Sequence, residues 1–251
     1  MNPSILTLAA MAGAFVMTSV DVKAASLKVL AGGSMTASLK ELAPRFEKAT
    51  GHKLDIAFAG TPDLIKQATS GAPFDAGVVP IDVMKNEAAR AKFAATQPAT
   101  IARVGYGVAV KAGAPKPDIS TAAKFKDAML KARSITLYPE SAAGAFVVKT
   151  FEMLGIADAM KAKLKAQSAP TGIAPAVAAG EAEYGVFLTN VLIAPGVEPA
   201  GPFPGDLQNE LVFVGAVAAD SRNAAAAQAF LDYLRTPDAA ALFKAKGVTP
   251  G

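Results

Sequence analysis

The 251 residues include no cysteine, no tryptophan and only one histidine. Without cysteine there is no disulfide, no thiolate metal ligand and no acceptor for N-terminal lipid attachment. One imidazole cannot build a zinc set, and a Ser–His triad resting on it alone is improbable. That histidine, His52, follows Thr50-Gly51 and reads as a surface turn residue. Charge of one sign is scarce as well: 25 Lys and Arg stand against 21 Asp and Glu, for a net charge of +4. The cations are scattered over helix-like faces (Lys40, Arg45, Lys48; Lys161, Lys163, Lys165) and mixed with acids. A nucleic-acid surface would gather them and interleave aromatics. Beyond residue 24 no apolar run approaches membrane length without a charge, proline or glycine, so no membrane-spanning helix is expected.

The first 24 residues read as a secretory signal rather than as part of the fold. Ile5 to Val16 is nearly all apolar, Asp21 and Lys23 end the run, and Val22-Lys23-Ala24 offers small residues before a break. A core of this length is too short for a bilayer and right for export, although Met1-Asn2-Pro3 carries no Lys or Arg. The mature chain should begin near Ala25. Exported, untethered and soluble, it belongs in the periplasm of a Gram-negative cell, as a monomer.

From there strands and helices alternate. Strands are expected at Leu27–Ala31, Lys53–Phe58, Asp75–Val79, Ile101–Lys111, Ser134–Leu137, Leu164–Gln167, Tyr184–Leu188 and Glu210–Ala219. Helices are expected from Thr36, after Thr61, over Val83–Phe93, from Thr121, and over Ala145–Leu154, Ile173–Ala179, Arg222–Leu234 and Pro237–Lys246. VLIAPGVEPAGPFPGDL reads as a Pro/Gly-rich passage. Alternation of this kind predicts an α/β protein of mostly parallel sheets flanked by helices. The long Ile101–Lys111 segment and the strand from Glu210 serve as two crossings between lobes. Residues 25–106 plus 214–251 form lobe one and 107–213 lobe two, with a cleft at the strand ends. Met84, Met129, Met153 and Met160 fall at core spacing. Gly105-Tyr106-Gly107 lacks the third glycine of a dinucleotide fingerprint and reads as a close strand crossing.

Four strand-to-helix turns repeat one pattern: Gly33-Ser34, Gly60-Thr61-Pro62, Ser141-Ala142-Ala143-Gly144 and Thr171-Gly172. Each places a small hydroxyl where the first N–H groups of a helix point outward unpaired and carry partial positive charge. Glycine and alanine around them let a ligand approach the backbone, which is how an anion is held without a cationic side chain. Each hydroxyl can also be a plain N-cap. The recurrence favours an anion site.

The segment LKVLAGGSMTASLKELAPRFEKATGHKLDIAFAGTPDLIKQATSGAPFD resembles the first half of periplasmic molybdate-binding proteins, type II solute receptors of ABC importers. AFLDYLRTPDAAALFKAKGV resembles their C-terminal helices. The resemblance implies a two-lobed type II binding-protein fold, a small anionic ligand held by neutral donors, importer membrane subunits as partners, and no cofactor or metal. Carried over by motif, the family's two hydroxyl donors match Ser34 and Thr61. Its backbone donors fall near Ala143 and Gly172, beside Ser141 and Thr171. The family's tyrosine is replaced by Leu188, and Gly60 stands where a second serine is usual. AVKAGAPKPDISTAAKFKDAMLKARSIT and PAVAAGEAEYGVF are similar to a branch of the same scaffold that includes aconitate isomerase. For that allylic proton shift the candidate catalytic groups are Tyr138 and Glu140, with Arg103 and Lys111 as carboxylate partners. Each of the four is a solvated loop or strand-edge residue on the plainer reading, and a binding function without catalysis is preferred.

Overall fold

The computed structural model describes residues 24–251; the export signal expected at residues 1–24 lies, apart from Ala24, outside the described residues. The chain opens with β1 (Ser26–Gly32), the helix α1 (Thr36–Thr50), β2 (Lys53–Ala59), α2 (Thr61–Thr69) and β3 (Ala76–Pro80). β1 runs parallel to both β2 and β3. β3 is buried along its whole length, as a strand covered on both faces must be, whereas β2 alternates at the sheet edge. Leu39, Leu42 and Phe46 form the buried stripe of α1. Phe46 meets Phe230 edge-on, ring centres 5.2 Å apart.

The helix expected over Val83–Phe93 is two short ones, α3 (Ile81–Lys85) and α4 (Glu87–Arg90). Asn86 breaks the run, because its side chain accepts the Ala89 N–H and so starts a new helix instead of continuing the old one. β4 (Ala99–Lys111) then enters the second half of the protein. There follow α5 (Ala122–Lys131), β5 (Ile135–Leu137), α6 (Ala142–Met153), α7 (Ala157–Lys163), β6 (Leu164–Ala166), α8 (Ile173–Ala179), β7 (Tyr184–Leu188) and β8 (Val197–Pro202). The chain closes with β9 (Glu210–Val217), α9 (Ala224–Tyr233), α10 (Pro237–Ala245) and β10 (Thr249–Pro250).

The strand order is β2-β1-β3-β9-β4-β7-β5-β6, with β8 and β10 also paired to β4. Residues Ala99 to Gly105 of β4 pair with β9, and Tyr106 to Lys111 pair with β7 and β8. One strand therefore belongs to two sheets, and the change of partner falls at Gly105–Tyr106. The chain returns through Phe203–Asn209, ahead of β9. There the Gln208 side chain adds to the backbone bonding: its Oε1 accepts the Tyr106 N–H at 2.8 Å and its Nε2 donates to the Tyr106 carbonyl at 2.9 Å, which also accepts the Phe203 N–H at 2.9 Å. The glycines of the crossing allow close contact; a Cβ on Gly107 would sit 2.9 Å from the Gly201 carbonyl oxygen.

Two sequence expectations give way to packing. His52 is buried, not at the surface: the turn at Gly51, in the left-handed region, folds the ring back toward Phe46, and Nδ1 accepts the Ala25 N–H at 3.1 Å. Met153, the last residue of α6, is exposed, while Met129 and Met160 are buried. β8 arises inside the Pro/Gly-rich passage, with a register shift at Val108–Ala109 that accommodates its irregular backbone.

Asp75, buried at the start of β3, ties lobe one together. It accepts from the Lys28 N–H at 2.9 Å, the Ser221 hydroxyl at 2.7 Å and the Asn223 amide at 3.2 Å. These bonds lie at the amino ends of the parallel strands, away from the cleft. Asp75→Ala should therefore cost about 2 kcal/mol or more of unfolding free energy, read by urea denaturation, while anion affinity measured on the folded fraction stays unchanged.

Candidate functional site

Four turns leave the carboxyl ends of β1, β2, β5 and β6, two from each lobe, and converge. β1 runs into Gly33–Met35, a short 3-10 turn ahead of α1. β2 ends at Gly60, the residue before α2. β5 leads through Tyr138, Pro139 and Glu140 to Ser141, which starts α6. β6 leads to the 3-10 turn Pro170–Gly172 ahead of α8. This is the place where open α/β sheets bind ligands, outside the carboxyl ends of their strands.

The lobes touch directly there. The Thr61 hydroxyl accepts the Ala142 N–H at 3.1 Å. Asn190 Nδ2 donates to the Ser34 carbonyl at 2.7 Å. Gly60 faces the Tyr138 ring so closely that an added Cβ would lie 2.5 Å from the phenol oxygen, and a Cβ on Gly33 would meet Pro170 at 3.2 Å. The space left between the turns is about 10 Å³, room for roughly one water molecule. Ser34, Thr61, Ser141, Ala143, Pro170 and Leu211 are among its walls, and no charged side chain lines it.

What the hydroxyls do separates them. Ser141 is a true N-cap: its Oγ accepts the Gly144 N–H at 3.0 Å and donates to the Tyr138 carbonyl at 2.9 Å. Ser34 and Thr61 do not cap the helices they begin. The caps of α1 and α2 are Met35 and Gly60, neither with a side-chain cap bond, so Thr61 is the first helical residue rather than the cap. Next to Thr61 across the cleft, the Ala143 N–H, second in α6, has no acceptor among the described residues. The hydroxyl protons of Ser34 and Thr61 and the free Ala143 N–H, at a positive helix end, are donors available to an anion.

Tyr138 is buried, and burial, followed by the negative charges of Asp63 and Glu140, raises its phenol above the usual range. It remains protonated and can donate. Glu140 is exposed beside it. The remaining sequence candidates lie elsewhere. Thr171 is exposed and does not line the space; the Gly172 N–H already bonds the Ala169 carbonyl at 3.2 Å, and Pro170 supplies the wall in their place. Leu188 is fully buried in the core opposite Tyr106 and forms no wall of the cleft. Lys111 stands at the far end of lobe two beside Lys116 and Arg133, and Arg103 lies on β4 opposite Thr249. Pro170, Leu211 and Asn190 escape sequence reasoning. For Asn190 the only signal is a polar residue two places after a buried strand.

Residues 27–249 match the family described as bacterial extracellular solute-binding protein. The chain belongs to that family. It is 34% identical over 267 residues to an aconitate isomerase from Pseudomonas sp, covering 100% of this chain and 98% of that protein. It is 29% identical to the molybdate-binding protein ModA of Azotobacter vinelandii, covering 90% of each. The solved structure of the Azotobacter vinelandii periplasmic molybdate-binding protein superposes with a TM-score of 0.71 at 20% identity, covering 90% of this chain and 99% of that one. The fold is accordingly the two-lobed type II binding-protein fold.

Gly60 offers a direct check on closure of this family member. Gly60→Ala places a methyl group inside the Tyr138 ring position, so the lobes should be held apart. Small-angle scattering in saturating anion is expected to give a larger radius of gyration for the variant than for the wild type, with Gly60→Ala/Tyr138→Ala restoring the smaller value.

Proposed function

We propose that this protein is a periplasmic receptor that captures a small anion, an oxyanion or a carboxylate, and delivers it to the membrane subunits of an ABC importer. The observation that carries the reading is that Ser34 and Thr61, one on each of two turns of lobe one, leave their own helices uncapped and face the α6 N-terminus of lobe two. An anion moved out of water must have its oxygens hydrogen-bonded, and neutral donors in a closing cleft meet that need without burying a counter-charge. The Thr61 hydroxyl and the Ala142 N–H satisfy each other at 3.1 Å. Both are donors, so a ligand oxygen can take the place of that bond and gain two. An oxyanion is larger than the 10 Å³ left between the turns, so the lobes close on it less far than on one another.

Calorimetric titration with molybdate, tungstate, sulfate, phosphate, citrate and the aconitates should find at least one ligand in roughly the micromolar to nanomolar range. Heat from none of them would refute the reading. Ser34→Ala and Thr61→Ala should each weaken binding by about 1–3 kcal/mol, because each leaves a ligand oxygen short of a donor. Since neither residue caps its helix, melting temperatures should hardly move. A falling melting temperature at unchanged affinity would restore the capping explanation.

An isomerase reading has one specific support, the full-length similarity to an aconitate isomerase together with Tyr138 and Glu140 beside the cleft. A base is needed within reach of an acidic C–H. The phenol held protonated by burial suits donation better than abstraction, and the Glu140 carboxylate is exposed. Incubation with cis- or trans-aconitate, followed by chromatography, should give no second isomer; turnover would establish the enzyme instead.

A further inference from the structure

We propose that the space between the four turns holds only the head group of the ligand, and that a side chamber beyond Leu211 receives a short carbon arm bearing a second carboxylate. The proposal rests on the anion-receptor reading above and specifies its ligand class. The chamber has a volume of about 350 Å³, against about 10 Å³ for the cradle. Both lobes build it. Ile81, Asp82 and Lys85 come from α3; Ala142, Ala145, Phe146 and Lys149 form one face of α6, at positions three and four apart; Tyr106 and Glu210 close the side toward the crossing.

Chamber and cradle are neighbours that share one wall residue. Leu211 lines both. On one side of it Pro80 belongs to the cradle and Ile81 to the chamber; on the other, Ala143 belongs to the cradle and Ala142 to the chamber. A ligand whose head sits on Ser34, Thr61 and the Ala143 N–H therefore has a direct route for an arm past the Leu211 methyls.

The chemistry of the chamber selects the arm. Ile81, Phe146 and Val212 give an apolar wall, which a bare tetrahedral oxyanion cannot use and methylene groups can. The Asp82 carboxylate is engaged by Lys85 at 2.8 Å. Lys149 has no carboxylate within 4.0 Å among the described residues and stands on the lobe-two wall. Glu210 is exposed at the rim, so an acidic arm is directed to the α6 side, toward Lys149. The Tyr106 phenol, kept protonated by burial and then by the Asp82 charge, adds a neutral donor at the inner end. A di- or tricarboxylate fits these features; molybdate or sulfate uses the cradle alone.

The test compares three anions by calorimetry on the full-length exported protein: tungstate, acetate, and tricarballylate, a saturated tricarboxylate that cannot undergo an allylic shift. Tricarballylate should bind at least about tenfold more tightly than acetate. Lys149→Met should lower the tricarballylate-to-tungstate affinity ratio about tenfold, the loss of one charge-assisted bond. Ala145→Trp, on the exposed face of α6, fills the chamber with bulk instead of removing charge and should lower the same ratio. Wild-type binding of tungstate without tricarballylate, or an unchanged ratio in both variants, would overturn the chamber and leave the receptor reading standing. Binding of none of the three would overturn both.

Discussion

An anion can leave water only for a place where its oxygens find donors, and on the receptor reading proposed above that demand organises this molecule. A single turn offers one hydroxyl and one or two N–H groups, which is too few. Two lobes facing each other double the count, and the alternation of strand and helix brings each helix start to the same edge of its sheet. The lobes meet at donors able to do this work, the Thr61 hydroxyl and the Ala142 N–H, while the Asn190 amide holds the Ser34 carbonyl beside them. The absence of charge in the walls follows from the same constraint. A lysine in so small a space would have to be desolvated with its counter-ion, at a cost that neutral dipoles avoid.

Much of this was legible in the sequence because its signals are local. Gly33-Ser34, Gly60-Thr61-Pro62 and Ser141 to Gly144 announce strand-to-helix turns within three or four residues, and the structure gathers those turns in one place. α8 and β7 have the bounds that their apolar runs suggested. Other features depend on distance in the chain. Nothing near residue 211 says that its leucine will stand between two cavities, since the strands that bring it there are more than a hundred residues apart. His52 reads as a turn residue because the sequence does not show that β1 begins beside it with an N–H to satisfy. Leu188 was placed by counting along a family motif, but a residue at the end of a fully buried strand packs inward. β8 was hidden by its own proline and glycine content, which an irregular edge strand tolerates.

The division of labour among hydroxyls shows how similar sequence signatures acquire different roles. Ser141 and Thr61 stand at equivalent-looking turns, yet only Ser141 folds back onto its own helix. The difference comes from one residue of register: Ser141 precedes the first helical residue, and Thr61 is itself that residue. A hydroxyl inside the first turn points away from the N–H groups that a cap would bond. One step along the chain thus turns a structural group into one available to a partner.

The amide of Gln208 has a further consequence. Beside the backbone bonds of the crossing, among them Phe203 N–H to the Tyr106 carbonyl and Thr189 N–H to the Gly105 carbonyl, both at 2.9 Å, the Gln208 amide adds a rung that can swivel. When the lobes turn against each other, a side chain can follow Tyr106 by rotating its own torsions, and neither sheet has to surrender a pair of strands. With its N–H and carbonyl bonded by that side chain, Tyr106 offers no open backbone pair for another strand to join.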